Sequence, residues 1–424
     1  MSASTKRLPI LFTNYQKVVI SLLALTQFTV VLDFMVMSPL GDMLMKSMSL
    51  RPSQFGFAVS AYAFSAGIAG LLTAGFADSF DRKKLLLFFY IGFIAGTFFC
   101  SIAQTYQMII AARIITGLFG GVIGSVSLAI VADLFPLDQR GRVMGFMQMG
   151  FGASQVLGIP MGLFIANNWG WQSPFIMIVA LGIIIWLLIC FRMHPINKHL
   201  SIQSDRNPFN HLLQTIKKRR YRVGFVATAL LSLGGFMMMP WGSAFAINNL
   251  HVTQQQLPLL FMVSGISSLI IMPLIGKLSD RIDKFTIFAI ASAWMIVMVL
   301  IYTNLASVPF WFVLLMNILF MVGIMSRMVP AMALTSSLPA MSDRGAFMSI
   351  NSSLQQIAGG IAAAVGGMIV VQKTKYSPLE NYNTLGYIIV GLTVISVLML
   401  FRVSYMIKKD NIQVKQDNFI LEAV

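Results

Sequence analysis

The sequence predicts an all-α membrane protein with twelve transmembrane helices, and three observations support this fold class. Of the 424 residues, 57% are hydrophobic and only 10% are charged, whereas about 25% are charged in an ordinary soluble domain. Apolar runs long enough to cross a bilayer, which takes about 20 residues, recur along the whole chain. The basic residues between these runs are concentrated on one side. Such a chain cannot cover itself with a polar surface, so it requires lipid as its solvent.

Each apolar run is predicted to be helical, because a backbone in lipid must satisfy its own hydrogen bonds. The predicted spans are residues 18–40, 54–77, 84–103, 107–132, 143–166 and 172–191, followed by 222–248, 257–278, 285–304, 308–334, 346–371 and 384–404. We therefore expect an N-terminal six-helix bundle (1–191), a cytoplasmic linker (192–221) and a C-terminal six-helix bundle (222–424). Within the linker, residues 209–221 are predicted either as a short amphipathic helix on the membrane surface or as solvated chain.

The distribution of Lys and Arg predicts that both termini are cytoplasmic. With the N-terminus inside, the cytoplasmic segments hold 24 of the 30 basic residues, and the opposite side holds four, Lys46, Arg51, Lys373 and Lys375. Cytoplasmic loops of membrane proteins collect basic residues, so topology accounts for the net charge of +16. Nucleic-acid binding is not expected, because the basic residues lie between spans rather than on one soluble face.

Several function classes are not expected from this sequence. The two cysteines, Cys100 and Cys190, lie far apart inside apolar runs, and the four histidines form no ligand group, so we expect no disulfide, metal or other cofactor. An enzyme would need an intramembrane cluster of catalytic side chains, and an ATP-driven pump would need a Gly-rich phosphate loop. The sequence has neither, and its longest loop, about 30 residues, leaves no room for the soluble domain of a sensor.

Two loop motifs recur at nearly the same offset and indicate an internal duplication. Residues 78–82 after the second span read DSFDR, and residues 280–284 after the eighth read DRIDK, at an offset of 202. Residues 138–141 read DQRG and residues 342–345 read SDRG, with Arg–Gly at an offset of 204. Two parallel six-span halves are one of the known plans of transporters.

The segments 74–84 and 275–285 resemble the signature loop of the major facilitator superfamily, roughly Gly-x-Leu-Ala-Asp-Arg-x-Gly-Arg-Lys. The second copy has the matching residues Gly276, Leu278, Asp280 and Arg281, whereas the first has Ala74, Ser79 and Asp81 in place of Gly, Arg and the second Gly. Span four resembles the Arg-x-x-x-Gly motif of the family at Arg113 and Gly117. Span five resembles the glycine–proline motif of antiporters, with Gly158-Ile-Pro160 where adjacent Gly-Pro is usual. The chain is therefore similar to the bacterial twelve-helix drug:proton antiporter and sugar-efflux branch.

This resemblance implies a secondary active transporter, not an enzyme, that works by alternating access. We expect proton-coupled efflux of a small amphipathic organic compound, drug-like or sugar-like. The alternative is proton-coupled import of a nutrient such as a sugar or an amino acid, because one cycle can run in either direction. The expected partners are the small-molecule substrate, protons and the lipid bilayer, and the expected form is a monomer in the bacterial inner membrane.

Asp33 and Arg113 are the candidates for proton coupling. A charge at bilayer depth costs at least about 2.5–3.5 kcal/mol, so it is usually paired or functional. Asp33 lies deep in a span, and Arg113 in span four can bind substrate or govern the proton of Asp33. The alternatives are a fixed Asp33–Arg113 ion pair, an Asp33 that meets water near the outer mouth, and an Arg113 that only braces helix four. A third charge, Arg327 in span ten, either faces the pathway or reaches the interface.

The resemblance also implies a gate on the cytoplasmic side. Asp78 is expected at the start of helix eleven and Asp280 at the start of helix five, where the helix N-termini attract carboxylates. Arg82 and Arg281 are expected to hold neighbouring carboxylates. In span five, small residues and a proline allow a close, kinked contact with helix eight, and the candidates are Gly158, Pro160 and Gly162. The alternative roles are topology determinants for the charges and generic helix packing for the glycines.

The substrate cavity is expected near the midplane, where the two halves meet. Its candidate lining residues are polar or aromatic side chains inside spans: Gln27, Tyr62, Gln148, Gln155, Trp241, Asn351 and Gln355. A mixed apolar and amide-rich pocket favours an amphipathic solute over a highly charged one. For each residue the alternative is packing against a neighbouring helix.

Overall fold

The computed structural model describes residues 12–76, 79–197, 200, 208–340 and 343–422, and the regular structure in these ranges is helical. The helices of the first half are α1 (Asn14–Val36), α2 (Gly41–Met48), α3 (Pro52–Phe76), α4 (Arg82–Ser101), α5 (Tyr106–Leu134), α6 (Leu137–Ala153), α7 (Ile159–Trp169) and α8 (Ser173–Arg192). Helix α9 (Pro208–Lys217) follows in the linker. The helices of the second half are α10 (Arg219–Phe236), α11 (Gly242–Asn248), α12 (Leu257–Ser279), α13 (Lys284–Thr303), α14 (Phe310–Ser336), α15 (Arg344–Ile369) and α16 (Tyr382–Glu422).

Within the described ranges, eleven helical segments are long and apolar enough to cross a membrane. The twelfth predicted span, 346–371, coincides with α15, whose 26 residues are long enough but include several polar side chains. Helix α15 packs along α3, where Ser60 Oγ donates to the Gly360 carbonyl at 2.7 Å. A helix covered by neighbouring helices needs fewer apolar residues than one that faces lipid. The all-helical membrane fold is thus confirmed, and the count of twelve spans stays a prediction.

Prolines interrupt or shorten three of the predicted spans. Helix α1 ends before Pro39, since the residue before a proline disfavours the helical conformation, and the chain continues as the short α2. The predicted seventh span is divided by a 3₁₀ turn, Met239–Trp241, around Pro240. The fifth span contains a π turn, Ser154–Gly158, just before Pro160. A proline donates no backbone hydrogen bond, so the helix widens or breaks beside it.

The repeated loop motif has a local structural role at its second aspartate. Asp81 caps α4 by accepting from the Lys84 backbone N–H at 3.0 Å, and Asp283 caps α13 by accepting from that of Thr286 at 3.2 Å. Such a cap contributes about 1 kcal/mol. Partial burial opposes the charge of Asp283, but its hydrogen bonds to Lys408 and Thr286 outweigh this and hold the pKa of Asp283 below its usual range. The spacing of the motif therefore follows from how these two helices begin.

The two ends of the bundle differ in how closely the halves meet. We call the end where α1 begins the terminal face, and the end that carries α2 and α11 the opposite face. At the opposite face, Ser38 Oγ donates to the Met239 carbonyl, Ser243 Oγ donates to the Ser38 carbonyl at 2.9 Å, and Trp241 is fully buried. Hydrogen bonds and a buried aromatic side chain therefore hold the two halves together at this face.

At the terminal face, four glycines at helix ends of the two halves have free space beside them. An added Cβ would meet nothing within 4 Å at Gly141 and Gly145 near the start of α6, at Gly276 near the end of α12, or at Gly345 at the start of α15. These are the helix ends at which the gate contacts were predicted. We interpret the structure as the state that is closed at the opposite face and open at the terminal face.

The linker contains a helix, α9, which overlaps the predicted segment 209–221, and its place on the membrane surface stays a prediction. Asp343, just before α15, accepts hydrogen bonds from Lys218 at 2.5 Å and Tyr221 at 2.7 Å and lies 3.2 Å from His211 Nε2. These contacts, with Lys218 and Tyr221 first, hold the pKa of Asp343 below its usual range. The carboxylate is therefore charged at neutral pH and fastens α9 to the second half, a contact that weakens as the pH falls through that pKa.

Candidate functional site

A buried ion pair joins three helices of the first half. Arg113 Nη1 on α5 lies 2.8 Å from Asp33 Oδ2 on α1, and both residues have 0% relative exposure. Thr97 Oγ1 on α4 donates to the other oxygen, Asp33 Oδ1, at 3.1 Å. Breaking a buried pair by removing one partner typically costs about 3–5 kcal/mol. Asp33 is therefore sealed from water in this state, and the predicted outer-mouth position does not apply to it.

Glycines on α5 explain why α3 approaches Arg113 so closely. An added Cβ at Gly117 would collide with Ser65 and the Tyr62 carbonyl, and one at Gly121 would lie 2.5 Å from the Ala66 backbone. This approach places the Tyr62 ring 4.5 Å from the Arg113 guanidinium carbon, in cation–π geometry. The Arg-x-x-x-Gly motif thus places the arginine and permits the packing that surrounds it.

Arg113 keeps unused hydrogen-bonding capacity. Its Nε and Nη2 atoms are fully buried and have no hydrogen-bond partner. Unsatisfied buried polar groups cost about 1–3 kcal/mol, and more when they are charged. The guanidinium therefore depends on Asp33 and on the Tyr62 ring for its stabilisation. Any neutralisation of Asp33 would leave Arg113 in need of another partner.

An aromatic contact links this ion pair to the second half. Phe34, next to Asp33, has its ring centroid 5.2 Å from that of Tyr62 and 6.0 Å from that of Phe236 on α10. A change at Asp33 can therefore be transmitted directly to the interface between the halves. The sequence reading missed Thr97, Phe34 and Phe236, since single threonines and phenylalanines in apolar runs form no pattern.

The predicted cavity residues lie at several places in the structure, and their role as cavity lining stays a prediction. Tyr62 belongs to the Arg113 site, whereas Trp241 lies at the closed opposite face with its ring 5.7 Å from Phe55, so in this state it does not line an open cavity. Gln155 lies in the π turn of the fifth span, where its Nε2 donates to Met35 Sδ at 3.7 Å. Asn351 Oδ1 is buried without a hydrogen-bond partner. Of the remaining candidates, Gln148 is exposed on α6, and Gln27 and Gln355 are half-buried on α1 and α15.

The predicted gate charges are only partly engaged. Arg82 Nε lies 3.0 Å from Asp133 Oδ2 at the end of α5. Asp78 lies outside the described residues. Asp280 and Arg281 are exposed and form no ion pair with the described part of the chain. In the described part of the chain, Asp280 forms no hydrogen bond or ion pair with the start of helix five, so its gate role stays a prediction.

The contact between the fifth and eighth spans uses different glycines from those predicted. An added Cβ at Gly158 would lie 2.7 Å from Leu32, and one at Gly162 would lie 3.2 Å from Val36, so both glycines pack against α1. On α12, Gly265 instead lies against the Gln155 backbone in the π turn, with an added Cβ 3.0 Å from Gln155 C and O. Pro160 favours this π turn, which turns the Gln155 backbone toward α12.

Gly265→Ala is expected to weaken the contact between the halves, while Gly276→Ala on the same helix is not. The new methyl group at position 265 would press on backbone atoms, which cannot move aside as a side chain can. Overpacking of this kind costs about 1–3 kcal/mol, whereas at Gly276 alanine meets open space and favours the helix. Thermal unfolding of the purified variants measures this: Gly265→Ala should unfold several degrees below Gly276→Ala. Equal unfolding temperatures would show that the close contact is not important for stability.

A polar cluster fastens the opposite face, and we call Asp42, Lys46 and Asn248 the clasp. Asn248 Nδ2 on α11 donates to Asp42 Oδ1 on α2 at 2.6 Å, and Lys46 Nζ donates to Asn248 Oδ1 at 3.1 Å. Lys46 also lies 2.8 Å from Asp42 Oδ2. Asn248 thus donates a hydrogen bond to Asp42 and accepts one from Lys46, and both of these charged residues belong to the first half. The sequence showed these three residues only as separate polar positions, because nothing in their spacing joins residues 42 and 248.

Comparisons with known proteins agree with this architecture. The family model of the Major Facilitator Superfamily matches residues 23–363. The uncharacterized MFS-type transporter YbcL of Bacillus subtilis is 26% identical over 389 residues, which cover 90% of this chain and 95% of YbcL. Multidrug resistance protein 3 of the same organism is 35% identical over 130 residues, 30% of this chain and 25% of that protein.

A solved structure shares the fold at low sequence identity. The D-xylose–proton symporter superposes with a TM-score of 0.74 at 17% identity, over 92% of this chain and 98% of that chain. The match shows the fold alone. Together with the two-bundle helical structure and the family model, it shows that this chain is a multi-pass membrane transporter and not an enzyme. The chain belongs to the major facilitator superfamily.

Proposed function

We propose that the protein exports a small amphipathic organic compound in exchange for protons, by alternating access in the bacterial inner membrane. The observation that carries this proposal is the sealed Asp33–Arg113 pair beside the interface of the halves. Asp33 is the carboxylate at depth in the spans, and it has one cationic partner, one hydroxyl donor and no water-exposed surface. A group in this position can respond to a proton only when the helices around it rearrange.

The mechanism that we propose alternates the partner of Arg113. In the state described here, Asp33 is ionised and neutralises Arg113. When the opposite face opens, water reaches Asp33 and a proton can bind to it, which removes the counter-charge of Arg113. The Arg113 guanidinium then donates hydrogen bonds to other acceptors. The accompanying shift of α1 is transmitted to the second half through the Phe34–Phe236 contact. Return of the proton to the terminal side restores the pair and closes the cycle.

The gate roles remain proposals within the same cycle. The clasp and the buried Trp241 would close the opposite face. When the terminal face closes, Asp78 and Asp280 would approach the starts of helices eleven and five, with Arg82 and Arg281 beside them. Six-helix bundles 1–191 and 222–424 would rock about the site, joined by the linker 192–221. We propose cytoplasmic termini and a monomer as the working form.

Two observations bear on the direction of transport. The local similarity to multidrug resistance protein 3 and the antiporter-like Pro160 region favour export. The fold shared with the D-xylose–proton symporter favours the alternative, proton-coupled import of a nutrient. Both directions use the same coupling site.

Proton flux in proteoliposomes tests the proposed function. The protein is reconstituted with an internal pH-sensitive dye, and drugs, sugars and amino acids are added in turn. We expect at least one solute to drive proton movement opposite to its own. Movement of solute and protons in the same direction would support the importer instead. Solute movement without proton movement would contradict proton coupling altogether.

A further inference from the structure

Arg327 is a buried cation that the proposed coupling cycle does not use. Three charged residues lie at depth in the predicted spans, Asp33, Arg113 and Arg327. Since Asp33 and Arg113 neutralise each other at 2.8 Å, the membrane interior keeps one uncompensated positive charge. Charges in this setting are normally paired, and those that are not mark a ligand pathway.

The surroundings of Arg327 supply no anion. Its Nε donates to Ser292 Oγ on α13 at 3.1 Å, and its guanidinium carbon lies 5.5 Å from the centroid of the Phe288 ring. The residue is 6% exposed, and it forms no ion pair with any described carboxylate. A hydroxyl and a ring face fix the orientation of the guanidinium but do not neutralise it.

The terminal nitrogens of Arg327 are less completely buried than those of Arg113. Two nitrogen atoms of Arg113 are fully buried without a partner, whereas the terminal nitrogens of Arg327 are not sealed in this way. Arg327 lies nine residues before the end of α14 at Ser336, which is about 14 Å along the helix from the terminal face at 1.5 Å per residue. It is therefore nearer to the terminal face than to the opposite face.

We propose that Arg327 binds the carboxylate of the transported solute, so that the substrate is a small amphipathic organic acid with one negative charge. The guanidinium fork matches a carboxylate in two parallel hydrogen bonds, and one bound monoanion would neutralise the remaining charge. This inference rests on the proposed function, because it names the substrate class of the same transport cycle. The phosphate of an anionic lipid headgroup is the other possible source of a compensating anion, and the experiment below distinguishes the two.

Ligand binding to the purified protein tests this without any transport assay. Benzoate, 1-naphthoate and decanoate are each titrated beside their uncharged amides, with thermal stabilisation as the readout. We expect at least one acid to bind the wild type at least ten times more tightly than its amide. Arg327→Gln should remove this preference, and Arg327→Lys should keep part of it. The matched control is Arg192→Gln at the end of α8, which removes an exposed arginine without an ion pair to the described residues and should behave as the wild type.

The outcomes separate this inference from the proposed function. An acid preference that is absent from the wild type, or unchanged in Arg327→Gln, would overturn the role of Arg327. If Arg327→Gln does not fold, Arg327→Lys is the deciding variant. An acid affinity in Arg327→Lys equal to that of the wild type would overturn the role of Arg327. Stabilisation that depends on Arg327 and arises only with phosphatidylglycerol would assign the site to a lipid headgroup and overturn the substrate role. An acid preference that depends on Arg327, in a protein that moves no protons, would support this inference and contradict proton coupling.

Discussion

Asp33→Asn is expected to reduce solute-driven proton flux to the level of empty liposomes. Asparagine keeps the size of the side chain but cannot ionise, and no other carboxylate lies at the same depth in the spans. The substitution also leaves Arg113 as a buried cation without a counter-ion, which costs about 3–5 kcal/mol when a buried pair is broken. We therefore expect a lower unfolding temperature as well. The measurement is the dye assay in proteoliposomes, with equal amounts of folded protein verified by size-exclusion chromatography.

Thr97→Val is the matched control for this prediction. It removes the hydrogen bond to Asp33 Oδ1 but leaves the carboxylate and its ion pair in place. We expect coupled flux to persist, at a reduced rate. If Asp33→Asn retained full coupled flux, Asp33 would be a structural residue and the coupling site would lie elsewhere.

Asn248→Ala is expected to shift the protein toward the state that is open at the opposite face. The substitution removes two hydrogen bonds between the halves, both to charged groups of the clasp. Such bonds contribute about 1.5–3 kcal/mol each, and each 1.4 kcal/mol changes an equilibrium about tenfold. A cysteine introduced at Ala244, which is fully buried beside the clasp, reports the opening through its reaction with a membrane-impermeant thiol reagent. We expect its labelling rate to rise at least about tenfold.

Asn249→Ala is the matched control for the clasp. Asn249 also makes two hydrogen bonds, but both are to the Leu379 backbone within the second half. Its loss should leave the labelling rate of the Ala244→Cys reporter nearly unchanged. Both comparisons use a background in which Cys100 and Cys190 are replaced by serine or alanine. Equal labelling in the two asparagine variants would show that the clasp does not hold the opposite face closed.

The features of this protein that depend on runs of apolar residues or on the scarcity of charge could be predicted from the sequence. Apolar runs located the helices, and the scarcity of charge within them singled out Asp33 and Arg113. What the sequence could not give is the pairing of positions far apart along the chain. Asp42 and Asn248 are 206 residues apart, and no local pattern connects an aspartate on α2 to an asparagine at the end of another span.

The span-five glycines show a second limit of sequence reasoning. Gly158 and Gly162 were predicted to pack against helix eight, but in this structure they lie against α1 rather than α12. The direction in which a glycine faces depends on the helix rotation, and the π turn at Ser154–Gly158 changes that rotation. The partner glycine, Gly265, lies in a span where serine and glycine are frequent and no single position stands out.

The most direct test of alternating access is to measure distances between the halves with pairs of spin labels. One pair, at Asn168 and Tyr376, spans the opposite face, and a second pair, at Met144 and Leu278, spans the terminal face. All four positions are exposed. We predict that a transported solute or a change of pH lengthens one distance while it shortens the other. Two distances that stay fixed, or that change in the same direction, would contradict the account.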